Sequence, residues 1–152
     1  MRKNLLQPEV RKEIADRIRL LRPNIQRQWG KMNVNQMLLH NYNGMHIAYG
    51  DFKVTPNPTS WFQKKFLRYF ILHTDFPTPK EKAETFPEMN MVQLGINPGN
   101  FTELQKQLAE AVENFPVKQT LAIHPFLGKF SEENWARLNY THLHHHLSQF
   151  GV

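Results

Sequence analysis

The segment from residue 131 to residue 152 reads SEENWARLNYTHLHHHLSQFGV. Ser131 is a residue type that caps helices, and the two glutamates that follow it suit the positive end of a helix dipole. The helical sequence pattern continues from Trp135 until Gly151, and glycine is a residue type that ends helices. We therefore predict a helix that Ser131 caps and that runs to about Phe150.

Four of the eight histidines of the chain fall within this helix, at positions 142, 144, 145 and 146. At about 100° per residue, His142 and His146 lie about 40° apart, one turn up the same face, and that face is directed toward the core. His144 falls on the opposite side and is predicted to be a surface residue. His145 lies on the flank, where a residue at the core boundary is favoured over a hydrogen-bond donor to a metal ligand. A purification tag does not fit, because a tag is normally an unbroken terminal run.

Two imidazoles at positions i and i+4 of one helix can bind one metal ion at about 2.0 to 2.1 Å. A third ligand has to come from another helix, and His40 is the candidate because Gly44, one turn further on, leaves room beside its ring. His46 is the rival, but it lies roughly 120° away. From the residues alone, a metal site and a set of core histidines with their own hydrogen-bond partners both remain open. His73 and His124 have no partner at ligand spacing and are predicted to be structural.

Four other stretches have the apolar spacing and the capping residues of helices. The predicted helices run from Pro8 to Leu21, from Asn33 to Gly50, from Trp61 to His73 and from Thr102 to Phe115. Residues 74–100 contain four prolines and two glycines, so we predict a long irregular crossover there, which could form the wall of a pocket. Residues 118–123 are the one candidate for a short extended piece. The fold class is therefore all-α.

Composition indicates one globular domain over residues 1–152, since 40% of the residues are hydrophobic and 12% are aromatic. No apolar stretch approaches the roughly 18 residues of a membrane span, and no export signal is visible, so we expect a cytoplasmic protein. The absence of cysteine excludes disulfides and thiolate ligands. The net charge of +6 suggests nucleic acid, but the basic residues are dispersed and we do not expect that partner.

Several short motifs occur in an order typical of one superfamily. They are Trp29-Gly-Lys-Met-Asn-Val, Leu38-Leu39-His40, His124-Pro-Phe-Leu-Gly, His142-Leu-His-His-His146-Leu-Ser-Gln149 and the ending Gln149-Phe-Gly. In this arrangement the chain resembles the DinB/YfiT-like superfamily of metal-dependent helical proteins, in particular a branch described as a domain of unknown function. The superfamily's last helix has His-x-x-x-His-Arg-Gly-Gln, and here Leu147-Ser148 replaces the Arg-Gly pair.

The resemblance implies a four-helix bundle, often a homodimer, with a divalent metal ion at one end. The ion would be held by His40, His142 and His146 and completed by water, with zinc or nickel as the first choices and iron as a third. Relatives of known activity include S-transferases that use a low-molecular-weight thiol and a maleylpyruvate isomerase. We therefore expect transfer of an electrophilic small-molecule substrate to a thiol, with metal-assisted hydrolysis as a near variant. A bundle that binds metal or a small ligand without catalysis is the alternative.

Overall fold

The computed structural model describes residues 2–55, 65–66, 68–69, 85–115 and 121–152. Four helices are bounded in this part of the chain: α1 over Pro8–Leu20, α2 over Val34–Tyr49, α3 over Phe101–Glu113 and α4 over Glu132–Gln149. A short 3-10 helix covers Pro87–Met89. No strand occurs among the described residues, so the predicted all-α class is confirmed and the helices are compatible with a four-helix bundle.

Two predicted helix starts are confirmed by their capping hydrogen bonds. The side chain of Asn33 accepts from the backbone N–H of Gln36, and the side chain of Gln36 accepts from the backbone N–H of Asn33, each at 2.9 Å. This is the reciprocal capping box. Ser131 accepts from the backbone N–H of Asn134 at 3.2 Å. At the other end of α2, Gly50 has a φ of 81°, a left-handed conformation that favours glycine.

The predicted start of α3 at Thr102 is wrong by one residue. The helix begins at Phe101, and Asn100 caps it by accepting from the backbone N–H of Glu103 at 3.2 Å. Asn100 adopts a φ of 47°, in the left-handed region that asparagine tolerates better than most residues. The preceding chain therefore enters the helix one residue earlier than the sequence pattern predicted.

The core lies between the four helices, with α1 packed mainly on α3, and α2 packed on both α3 and α4. Side chains from every helix are at most 1% exposed, among them Ile14, Ile18, Met37, Leu38, Leu108, Val112, Trp135 and Leu143. Burial of each such side chain contributes about 1.5 to 3 kcal/mol relative to its exposure. This packing fixes the rotation of α2 against α4, the two helices that carry the candidate site.

The structure describes part of the predicted crossover and a few residues of the helix predicted at residues 61–73. Residues 85–100 contain the 3-10 helix and turns, as an irregular segment should, whereas residues 74–84 lie outside the described residues. The predicted helix at residues 61–73 also lies outside them, except for residues 65, 66, 68 and 69, which are helical. Residues 121–123 form no strand, although the backbone N–H of Ala122 donates to the carbonyl of Ala48 at 2.8 Å. None of the described helices is long and apolar enough to span a membrane.

Candidate metal centre

Three histidines from two helices meet where α2 packs on α4. The ligand nitrogens of His40, His142 and His146 all lie within 4.8 Å of one another. Nitrogens that share an ion at about 2.1 Å lie at most about 4.2 Å apart, so this spacing is close enough for rotation about the soft imidazole torsions to bring the three nitrogens to one ion. Among the described residues, this is the one group of histidine and acidic side chains with metal-site spacing.

His40 is the most deeply placed member, with 3% of its surface exposed. Its Nδ1 lies 3.0 Å from the carbonyl oxygen of Met89, which can only accept, so Nδ1 carries the proton and donates. The Nε2 atom is then left with a free lone pair. Met89 belongs to the 3-10 helix of the crossover, and nothing in the sequence indicated its carbonyl as a partner of the site. A backbone acceptor gives no sequence signal.

His146 has the same tautomer for an equivalent reason. Its Nδ1 lies 3.1 Å from Oε1 of Gln149, one turn further along α4. The Nε2 of Gln149 donates to the carbonyl of Trp29 at 2.7 Å, so the amide nitrogen faces Trp29 and the amide oxygen faces His146. The oxygen can only accept, and therefore His146 donates from Nδ1 and leaves Nε2 free.

His142 completes the cluster with its Nε2 2.9 Å from Nε2 of His40. Because Nε2 of His40 has no proton, His142 donates to it in the arrangement described. To bind an ion, His142 has to carry its proton on Nδ1 instead. Gly44 lies beside that edge of the ring, and a Cβ there would be 3.1 Å from both Nδ1 and Cε1 of His142. The space at Gly44 was predicted beside the ring of His40, but the three atoms nearest to a Cβ at this position belong to His142 and Met89, so the space lies beside His142.

All three rings are electrostatically suited to remain neutral. Burial lowers the pKa of His40 below its usual value, and burial lowers the pKa of His142 and of His146 well below it. The neighbouring imidazoles lower the pKa of His142 and His146 further, since a second positive charge in the cluster is unfavourable. Neutral imidazole is the form that binds metal ions. The donor set therefore fits a divalent cation.

The remaining described histidines lie in other surroundings. His46 is 3.4 Å from Asp51 and packs on Tyr42. His144 is exposed and lies 2.9 Å from Arg17, as predicted for a surface residue. His145 is partly buried, with its ring 5.0 Å from that of His146.

His124 is structural, as predicted. Its Nδ1 accepts from the backbone N–H groups of Phe126 and Leu127 at 3.1 and 3.0 Å, which closes a turn. His73, the other histidine predicted to be structural, lies outside the described residues.

Leu147 and Ser148, which stand where the resembled motif has Arg-Gly, contact other parts of the chain. Leu147 is fully buried and belongs to the apolar core. Ser148 lies on the side of α4 near Arg17, whose guanidinium donates to its hydroxyl at 3.4 Å. Neither residue adds a charge to the histidine cluster.

The fold and the cluster together define a class, an all-helical protein with a buried three-histidine centre. Over residues 1–151 the chain matches the family described as Protein of unknown function (DUF1569), and it belongs to that family. Comparison with curated proteins and with solved structures gave no match.

Proposed function

We propose that this chain is a divalent-metal-dependent enzyme in which His40, His142 and His146 hold one ion, zinc or nickel before iron. The observation that carries the proposal is the convergence of three ligand nitrogens from α2 and α4 within 4.8 Å. Two of the rings, those of His40 and His146, already donate from Nδ1 to oxygen acceptors, so neither Nε2 carries a proton. The Nε2 of His40 accepts from His142 and becomes available to an ion once His142 carries its proton on Nδ1. Fixed outer partners of this kind are typical of metal-binding histidines.

An ion held by three neutral imidazoles keeps its full charge and lowers the pKa of a water or thiol bound to it. The protein's own contribution is to hold three neutral donors and to limit the access of water. His40 is almost fully buried and His142 is partly exposed, so a small molecule would approach from the side of His142.

The reaction that we propose is transfer of an electrophilic small molecule to a low-molecular-weight thiol. With an aryl chloride as the electrophile, a carbon–sulfur bond forms and the carbon–chlorine bond breaks. Chloride leaves with the bonding electrons, and the thiol proton passes to solvent. The chain has no cysteine, so the sulfur must come from an added thiol. The resemblance to DinB/YfiT-like proteins supports this reaction class and a homodimeric assembly.

The test begins with untagged protein purified without a nickel column and analysed for its metal content. We expect about one divalent ion per chain, or its recovery when zinc or nickel is added to chelator-treated protein. The loaded protein is then assayed with a panel of small thiols and chlorodinitrobenzene, and conjugation faster than with the chelated protein is expected. Failure to bind any of zinc, nickel or iron would overturn the metal site. Metal binding without thiol conjugation would overturn the transferase assignment and favour hydrolysis or ligand binding.

A further inference from the structure

Gln149 connects the histidine cluster to a distant turn of the chain. Its side chain is 4% exposed and has one hydrogen bond at each end of the amide. The Nε2 atom donates to the carbonyl of Trp29 at 2.7 Å, and the Oε1 atom accepts from Nδ1 of His146 at 3.1 Å. Reversing the amide would place two acceptor oxygens against each other at Trp29, so this carbonyl fixes the orientation of Gln149.

The orientation of Gln149 in turn determines which nitrogen of His146 carries the proton. An amide oxygen cannot donate, so His146 has to donate from Nδ1, and Nε2 keeps its lone pair. His40 obtains the same tautomer directly from a backbone carbonyl, that of Met89. His146 obtains it through a side chain, and a side chain can be replaced by mutation.

The turn that contains Trp29 leaves room for the side chain of Gln149 and forms a hydrogen bond with its backbone. Gly30 has a φ of 81°, and a Cβ on it would lie 2.0 Å from Nε2 of Gln149, so only glycine leaves room for the amide. The backbone N–H of Gln28 also donates to the backbone carbonyl of Gln149 at 2.7 Å. Arg27 closes the turn by donating from Nε to the carbonyl of Gly30 at 2.8 Å. The turn and the last turn of α4 therefore form one unit.

We propose that Gln149 is a positioning residue, which uses the Trp29 carbonyl to hold His146 in the tautomer and orientation that metal binding requires. The inference rests on the proposed metal site, but the tautomer of His146 can be measured without metal. Outer partners of metal-binding histidines typically affect affinity by about 10- to 100-fold. We expect a loss in that range when Gln149 is replaced by leucine.

The first measurement is the tautomer of His146 in metal-free protein, read from the ring nitrogen shifts in long-range proton–nitrogen NMR spectra. The unmutated chain should show the Nδ1–H form, and Gln149→Leu should lose it. The second measurement is zinc affinity by competition with a chelator, in which Gln149→Leu should bind about 10- to 100-fold more weakly.

Two matched controls separate this role from general stability. Gln105→Leu removes another partly buried glutamine, whose Nε2 donates at 2.8 Å to the carbonyl of Ile18 in α1, a helix that contributes no residue to the cluster. Gly50→Ala imposes the same φ of 81° as Gly30→Ala, but its Cβ would meet Ala122 at an ordinary 3.6 Å. Both controls should lower the melting temperature and leave the His146 tautomer and the zinc affinity unchanged. Gly30→Ala should change both.

The proposal is overturned if Gln149→Leu and Gly30→Ala, both folded by circular dichroism, keep the Nδ1–H form and bind zinc within twofold of the unmutated chain. If Gln149→Leu does not fold, the comparison of Gly30→Ala with Gly50→Ala decides. An unmutated chain that binds none of zinc, nickel and iron, but shows the tautomer contrast, would overturn the proposed function and still support the connection from Gln149 to His146.

Discussion

The Nε2 atoms of His40 and His142 lie 2.9 Å apart, although 102 residues separate them in the chain. The contact depends on how α2 and α4 pack, since each histidine belongs to a different helix. It also has two chemical consequences. Without metal the two rings share one proton between their Nε2 atoms, and with metal both Nε2 atoms are close enough to bind the same ion.

The first prediction concerns the ligand set. We expect His40→Ala, His142→Ala and His146→Ala each to reduce zinc affinity by more than about tenfold, because each removes one of three donors. The control is His144→Ala, because that exposed ring interacts with Arg17 and not with the cluster. Equilibrium dialysis with elemental analysis measures the difference. Full metal content in two of the three ligand variants would refute the assignment.

The second prediction is that metal stabilises the fold. The three donors come from α2 and α4 and meet only in the folded chain, so an ion that binds them favours the folded state. At a free metal concentration of 100 times the dissociation constant, the expected gain is about 2.7 kcal/mol. Thermal unfolding with zinc and with chelator measures it. An unchanged melting temperature after verified removal of the ion would show that ion binding and folding are not coupled.

The third prediction concerns the pH at which metal is released. Protons and metal ions compete for the same ring nitrogens, and burial lowers the pKa of all three candidate ligands. Half of the metal should therefore be lost at a pH below the ordinary imidazole value of about 6.5. The measurement is metal retention across a series of buffers. Release at or above that value would mean that the rings are not held in the neutral form.

The fourth prediction concerns His124 and acid stability. Burial, with a smaller effect of the Arg68 charge, lowers the pKa of His124 to about 4, and protonation of Nδ1 would break its two hydrogen bonds with the backbone. The unfolded chain binds this proton near pH 6.5, so the contribution of His124 is complete above about 6.5 and declines as the pH falls toward 4. At about 1.4 kcal/mol per pKa unit, the decline is roughly 3 kcal/mol.

The comparison that isolates His124 is His124→Asn, which keeps an acceptor for the turn but does not titrate in this range. Denaturant unfolding of both chains with chelator present gives the free energy of unfolding at each pH. The variant should lose less stability than the unmutated chain between pH 6.5 and 4. Parallel pH profiles for the two chains would contradict the assignment.

The fifth prediction concerns Gly44. Alanine is favoured over glycine in a helix by about 1 kcal/mol, but its Cβ would lie 3.1 Å from the His142 ring, closer than ordinary contact. We expect Gly44→Ala to weaken zinc binding several-fold, while the stability of the metal-free chain changes by less than about 1 kcal/mol. Zinc titration measures the affinity, and denaturant unfolding of the metal-free chain from the same preparation measures the stability. Unchanged zinc affinity would mean that the ring of His142 moves freely away from position 44.

Local signals in the sequence predicted most of the described helix ends. The capping box at Asn33 and the cap at Ser131 depend on residues within one turn, and both are present. The start of α3 was predicted incorrectly because Asn100 and Thr102 are both good caps, and the conformation of the chain before the helix decides between them.

The sequence by itself determined which faces of the helices are apolar and that His142 and His146 share one of them, because helical periodicity is local and repeats every 3.6 residues. It also offered His40 as a third candidate ligand, whose role in binding metal stays a prediction. Only the tertiary structure decided that His40 meets the other two and that His142 donates to it. It also supplied the carbonyls of Met89 and Trp29 as the groups that set the tautomers. These contacts depend on how the helices rotate and pack against each other, and that rotation is the sum of many side-chain contacts across the core.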